Sequence, residues 1–155
     1  MSQKNLLQNI YLFKGLSNDQ MELINSISDL ETYALGDDVF CEGDAATALY
    51  VIKYGSVRIH LKSPDGDNIE VAALGTGSHF GEMALLDGEK RSATASAMEK
   101  TEIIRIEYSS LRNVLIENAS IAVHFYRELA KFLCGRLRIT TNDLSFAREK
   151  NISHF

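Results

Sequence analysis

With 155 residues, 45% of them hydrophobic and 24% charged, the chain suits one domain around one core, and its apolar runs are far too short to cross a bilayer. Its two cysteines, Cys41 and Cys134, show neither CxxC nor metal-ligand spacing, which argues against a disulfide framework and for a reducing, cytoplasmic setting. The net charge of −5 is uneven, with 10 Lys+Arg against 18 Asp+Glu in residues 1–120 and 6 against 3 in residues 121–155, so the acidic body should repel a nucleic-acid duplex and the tail is too weakly basic to hold one.

The N-terminal stretch "MSQKNLLQNIYLF" has no signal-peptide pattern. In "GLSNDQMELINSI", Ser17 and Gln20 form a capping-box pair, and Leu16, Met21, Leu23, Ile24 and Ile27 recur at roughly helical spacing. Short strand-type runs then alternate with glycines. "VFCEGD" ends in a turn signal, and "LYVIKYGSVRIHL" reads as two strands about Tyr54-Gly55. Val57, Ile59 and Leu61 alternate with Arg58 and His60, as in a half-buried strand. "SPDGDN" carries the Asp-Gly hairpin signal and the only proline, Pro64; "IEVAAL" and "TEIIRI" are further strands. After Tyr108 the helical period returns. Ser109 or Ser110 can cap a short helix and Asn118 a longer one, reaching about residue 147 as a rod of roughly 40 Å. Many short strands between helical ends predict a sandwich or barrel, with no linker, repeat or low-complexity tract.

"FGEMALLDGEKRSATA", from Phe80 to Ala95, is neither a clean helix nor a clean strand. A phosphate is held by a cation and by backbone N–H groups in a turn or at a helix start, and close approach requires small side chains. Gly81, Ala84 and Ala93 meet that requirement, Arg91 supplies the cation and Ser92 a hydroxyl; Met83 lies in the same run. Glu82 would repel a phosphate but can accept from a sugar hydroxyl. The competing explanation is a surface ion pair between Glu82 and Arg91, worth about 0–1 kcal/mol.

This stretch resembles the phosphate-binding cassette of the cyclic-nucleotide-binding domains found in the bacterial catabolite activator protein, protein kinase A regulatory subunits and cyclic-nucleotide-gated channels. The shared pattern is Phe-Gly-Glu, small and apolar residues, then Arg followed by Ser, Thr or Ala, then Ala. "LFKGLS", "FCEGDAATALYVIKYGSVRI" and "GTGSHFGE" extend the resemblance over about residues 6 to 147. It implies a mainly β fold: an eight-stranded antiparallel, jelly-roll-like β-roll at about residues 31–107, a helical segment at about 5–30 before it, and C-terminal helices at about 109–147, in one domain spanning 1–155. It also implies that Arg91 pairs with a cyclic phosphate, that Glu82 accepts from the ribose 2′-hydroxyl beside the Gly81 backbone, and that the Ala84 region and Ser92 add phosphate contacts. Val71 and Leu74 would pack beside base or sugar, with ordinary core burial the alternative for both.

The last helix contains "GRLRITTNDL". In the catabolite activator group the matching places hold an Arg and a hydroxyl pair that meets adenine; here they are Arg136, Thr140 and Thr141. Arg136 and Thr140 share a helix face at i and i+4, and adjacent threonines are poor helix formers; toleration on an exposed face is the alternative. Tyr126, Ala130, Leu133, Leu137, Thr140, Leu144 and Ala147 follow a 4-3-4-3-4-3 seam, while Phe125, Leu129 and Phe132 form a neighbouring stripe for the roll. Two stripes predict two partners, the roll and a second copy. "GTGSHFG" does not fit a dinucleotide loop, "DGDN" lacks the far ligand of a calcium loop, and His60, His79, His124 and His154 lack metal spacing, His79 being taken as a surface or packing residue. No catalytic arrangement stands out.

The expectation is therefore a non-enzymatic sensor that needs no metal or cofactor and binds cyclic AMP in preference to cyclic GMP. It would be a homodimer with its output in a separate protein, and without nucleic-acid or membrane contacts. A ligand-free interaction module of the same fold, or a DNA-binding regulator lacking its helix-turn-helix, is the alternative.

Overall fold

The computed structural model describes residues 2–153. Helices α1 (Gln3–Asn9) and α2 (Asn18–Ser26) precede β1 (Ser28–Tyr33), β2 (Asp38–Phe40), β3 (Ala48–Tyr54), β4 (Ser56–Lys62), β5 (Asn68–Gly75) and β6 (His79–Phe80). A short α3 (Met83–Asp87) interrupts the strands before β7 (Thr94–Ala97) and β8 (Thr101–Glu107), and α4 (Tyr108–Glu117) and α5 (Ala119–Ser153) follow. The eight strands form two four-stranded antiparallel sheets, ordered β1-β8-β3-β6 and β2-β7-β4-β5. This is the β-roll with flanking helices that the resemblance implied.

Local chemistry accounts for several boundaries. Ser17 and Gln20 form both reciprocal bonds of the capping box at the start of α2. Gly55 turns β3 into β4 at a φ of 105°; a Cβ there would lie 2.5 Å from Thr101 Oγ1, so only glycine fits. The Asp-Gly hairpin joins β4 to β5, with Lys62 opposite Asn68. The helix caps read from sequence at the other end are corrected. Glu107 precedes α4 and makes no side-chain cap bond, so neither Ser109 nor Ser110 caps it. Asn118 turns its Nδ2 back to Val114 O at 2.9 Å while its carbonyl accepts from Ala122 N at 3.0 Å, so its main chain opens α5 and its side chain serves α4. The first strand starts at Ser28, because α2 ends at Ser26 without a linker.

The core has two compartments, and β3 divides them. Leu49 and Val51 face the helices, where Leu7, Phe13, Ile24, Leu111, Phe125 and Leu129 are buried with Ile104 and Ile106 of β8. Ala48, Tyr50 and Ile52 face into the roll, against Val57, Phe80, Ala95 and Ile103. Both faces of β3 are covered, which explains its unbroken apolar run instead of an alternating one.

Helix α5 leaves the body. Its first turns are fixed by Ile121, Phe125 and Leu129, all fully buried, but residues 134–149 are exposed throughout. It continues to Ser153, beyond the stop expected near residue 147, so its 35 residues span about 52 Å. Gly135 does not break it, a single glycine costing only about 1 kcal/mol.

Candidate functional site

The cassette stretch folds as the end of β6, the single turn of α3, an exposed acidic loop and the start of β7. Together these wrap a cleft of about 140 Å³ whose lining includes Leu74, Gly81, Glu82, Met83, Ala84, Arg91, Ser92, Ala93 and Arg136. Nine of the twelve residues singled out from sequence thus meet at one place.

The other three do not. Val71 is 54% exposed on β5. Residues three apart on a strand face opposite ways, and Val71 also falls in the register shift where Ile59 pairs with Ala72 but His60 pairs with Glu70. Leu74 alone faces inward. Thr140 and Thr141 are exposed on α5 beyond the cleft, and Thr141 Oγ1 donates back to Leu137 O at 2.8 Å.

Arg91 is buried, with 6% of its surface exposed. Its main chain is held like a strand rung by the Glu42-Gly43-Asp44 turn: Arg91 N donates to Asp44 O and Gly43 N to Arg91 O, each at 2.9 Å. Its guanidinium sits 4.0 Å from the Phe40 ring centroid. Nη1 donates to Gly81 O at 3.1 Å and to the Tyr108 hydroxyl at 3.2 Å, and Nη2 to Ala48 O at 2.7 Å. All three acceptors are neutral. Among the described residues no carboxylate lies within ion-pair distance of Arg91, so the surface pair with Glu82 does not form. Arg91 Nε is buried and has no partner. A guanidinium has five N–H donors; three are used here, and Nε–H is among the two that remain. Such a group, a buried cation with spare donors and no counter-charge, is costly unless an anion arrives.

Gly81 makes this geometry possible. Its φ is +79°, and a Cβ would lie 2.9 Å from Arg91 Nη1 and 3.3 Å from Ala48 O.

Glu82 is also buried, at 8% exposure. Its Oε2 lies 3.5 Å from His79 Nδ1, a close approach without a hydrogen bond. Burial alone would push its carboxyl up. His79, the Glu82 amide and the charge of Arg136 more than offset that, and the carboxyl ends below its ordinary range. An ionised Glu82 is an acceptor only, suited to a hydroxyl and unsuited to a phosphate.

Three contributors were not singled out from sequence. Phe40 covers Arg91, Tyr108 hydrogen-bonds both Arg91 and Gly81 O, and His79 is buried, not superficial. Tyr108 opens α4 without capping it, and His79 stands three residues before Glu82; neither position is a signal by itself. Among the described residues no group of three or more His, Cys, Asp or Glu could hold a metal ion, and no helix is long and apolar enough to cross a membrane. His154 lies outside the described residues. Both cysteines are free and exposed.

The cyclic nucleotide-binding domain profile matches residues 30–118, which include the cassette and the strands that carry it. The chain belongs to the cyclic nucleotide-binding domain family. The Cyclic AMP receptor protein of Thermus thermophilus is 35% identical over 143 residues, covering 90% of this chain and 64% of that protein. The crystal structure of the Thermus thermophilus catabolite activator protein superposes with a TM-score of 0.77 at 32% identity, over 87% of this chain and 62% of the other. The N-terminal domain of a transcriptional regulator from Streptomyces coelicolor gives a TM-score of 0.75 at 30% identity, over 90% of this chain and 94% of that one. The chain thus spans under two thirds of the Thermus thermophilus relatives and matches nearly all of the Streptomyces coelicolor N-terminal domain. It is a cyclic-nucleotide-binding regulatory domain.

Proposed function

We propose that the cleft binds a purine 3′,5′-cyclic nucleotide, cyclic AMP in preference to cyclic GMP, and that binding biases the position of α5. The observation that carries this is Arg91, a buried cation whose described partners are all neutral and whose Nε–H is unspent in the cleft wall. A cyclic phosphate supplies the missing anion. Glu82, ionised and on the same wall, accepts the adjacent ribose 2′-hydroxyl beside the Gly81 backbone. Ser92 and the amides around Ala84 complete the phosphate contacts.

The base falls to α5. Arg136 already lines the cleft, with its guanidinium 5.3 Å from the Phe132 ring centroid. Thr140 and Thr141 lie about one turn further along and are exposed. They reach a base either when α5 moves over the cleft or from the α5 of a second copy. The exposed seam of Leu137, Thr140 and Leu144 favours that homodimer, and differential contacts of this kind are what a population shift requires. The acidic body contributes no surface for a duplex, so the output passes through another protein and not through direct nucleic-acid contact. The role is regulatory, in a cytoplasmic setting.

Isothermal titration with cyclic AMP and then cyclic GMP tests this. Micromolar or tighter binding, stronger for cyclic AMP, is expected, and Thr140→Ala with Thr141→Ala should weaken cyclic AMP more than cyclic GMP. Equal losses would show that the threonines do not read the base. One observation favours a ligand-free interaction module instead: three Arg91 donors already have protein acceptors. Absence of heat and of thermal shift with both nucleotides, on protein freed of bound ligand, would select that second function.

A further inference from the structure

His79 has no part in the ligand contacts above, yet it is one of the most constrained side chains in the cleft wall. It is 7% exposed, and its ring is packed by Tyr11 at 5.1 Å and Phe132 at 4.6 Å between centroids, while those two rings stack on each other at 5.3 Å. Three elements therefore meet on one imidazole: the segment after α1, β6 and α5. Its Nε2 is hydrogen-bonded to the Tyr11 hydroxyl. Its Nδ1 lies 3.5 Å from Glu82 Oε2 and makes no hydrogen bond.

The two ring nitrogens are not independent. Burial, and then the charge of Glu82, push the Tyr11 phenol up, so it stays an O–H donor at neutral pH. Where the phenol donates, Nε2 carries a lone pair, and the tautomer that matches this bond has its ring proton on Nδ1. Nδ1 is the ring atom beside Glu82, 3.5 Å from Oε2 without a hydrogen bond in the free protein. In that tautomer Tyr11 leaves an N–H beside one carboxylate oxygen, able to steady it while the other oxygen meets a ligand hydroxyl. Second partners that orient a primary contact in this way are a general device of binding sites.

We infer that His79, oriented by Tyr11, is a positioning residue that aims the Glu82 carboxylate at the ribose 2′-hydroxyl and thereby sets the discrimination between ribo- and 2′-deoxyribo-cyclic nucleotides. The inference rests on the cyclic-nucleotide function proposed for the cleft. It follows that His79 acts on one part of the ligand and leaves the phosphate contact alone.

The test is calorimetric affinity for cyclic AMP and for 2′-deoxy cyclic AMP. A hydroxyl bonded to a carboxylate should make the deoxy ligand about tenfold weaker or worse for the unmodified protein. His79→Phe keeps the ring stack but removes the donor. It should bring the ratio of the two affinities down at least about threefold while 2′-deoxy cyclic AMP binds within about twofold of before. His79→Asn, whose amide can stand where Nδ1 stands, should restore most of the ratio. Tyr11→Phe removes only the hydroxyl that selects the tautomer, carries the same readout if His79→Phe does not fold, and should give an intermediate ratio. A ratio unchanged in the folded variants, or equal losses for both ligands, would overturn the positioning role and leave His79 as packing. Failure of the unmodified protein to bind either ligand would instead overturn the cleft's proposed function, and this inference with it.

Discussion

Replacing Arg91 by alanine separates the hydrogen-bonding role of its side chain in the free protein from the phosphate-binding role proposed for it. In the free protein the guanidinium ties Gly81 O, Ala48 O and the Tyr108 hydroxyl together across the cleft floor and lies against Phe40. Its removal leaves Ala48 O without that donor, at a cost of about 1–3 kcal/mol; relief from burying an uncompensated cation offsets part of this. A net stability loss of about 1–2 kcal/mol is expected from urea unfolding. The ligand loses more selectively. A charge-assisted contact to phosphate contributes about 1.5–3 kcal/mol, so cyclic AMP affinity should fall about 10- to 150-fold. Calorimetry at a temperature where unfolding curves show the variant fully native keeps the two effects apart. Arg91→Lys retains the charge but not the fork and should recover only part of the affinity. Unchanged affinity in a folded Arg91→Ala protein would refute the claim that the missing counter-charge is the ligand's phosphate.

Leu137 and Leu144 are 67% and 54% exposed on the projecting half of α5; Leu137→Glu with Leu144→Glu should shift sedimentation from dimer to monomer with helix content unchanged, and an unaffected dimer would place the interface elsewhere. Gly55→Ala forces a Cβ to 2.5 Å from Thr101 Oγ1 at a φ of +105°; it should destabilise by about 1–3 kcal/mol, seen as a lower urea midpoint at constant slope. The Glu82 carboxyl is held below its ordinary range in the folded state, the opposing push of burial being outweighed by His79, the Glu82 amide and Arg136 together. Its contribution is therefore complete above the unfolded carboxylate range of about 4.3 and is lost as pH falls through the lower folded value. Thermal unfolding from pH 7 down to pH 3 should accordingly show the unmodified protein losing stability relative to Glu82→Gln, and parallel curves would show that Glu82 is not held ionised by its surroundings.

Sequence alone was sufficient wherever the controlling interaction is short in range. The capping box of α2 needs only Ser17 and Gln20, the hairpin after β4 needs only its Asp-Gly turn, and the strand runs follow from apolar pattern and glycine spacing. The cassette was legible for the same reason, since its small residues, Glu82, Arg91 and Ser92 fall within one short stretch. Patterns that depend on a face were less secure. Val71 and Leu74 came together from the family resemblance, although strand alternation and a register shift separate them. Asn118 serves both neighbouring helices, its side chain bonding Val114 O and its carbonyl Ala122 N, a division its sequence position does not reveal.

The direction of the Arg91 guanidinium was a tertiary matter. It is set by Ala48 O, 43 residues away in sequence, and by Tyr108, 17 away. His79 could not be recognised from its neighbours, because the residue that orients it, Tyr11, is 68 positions distant. Chemistry carried by one contiguous turn is written in order along the chain. Chemistry that requires an acceptor, a ring or a counter-charge from another element exists only once burial has brought those elements together and removed water as the competing partner.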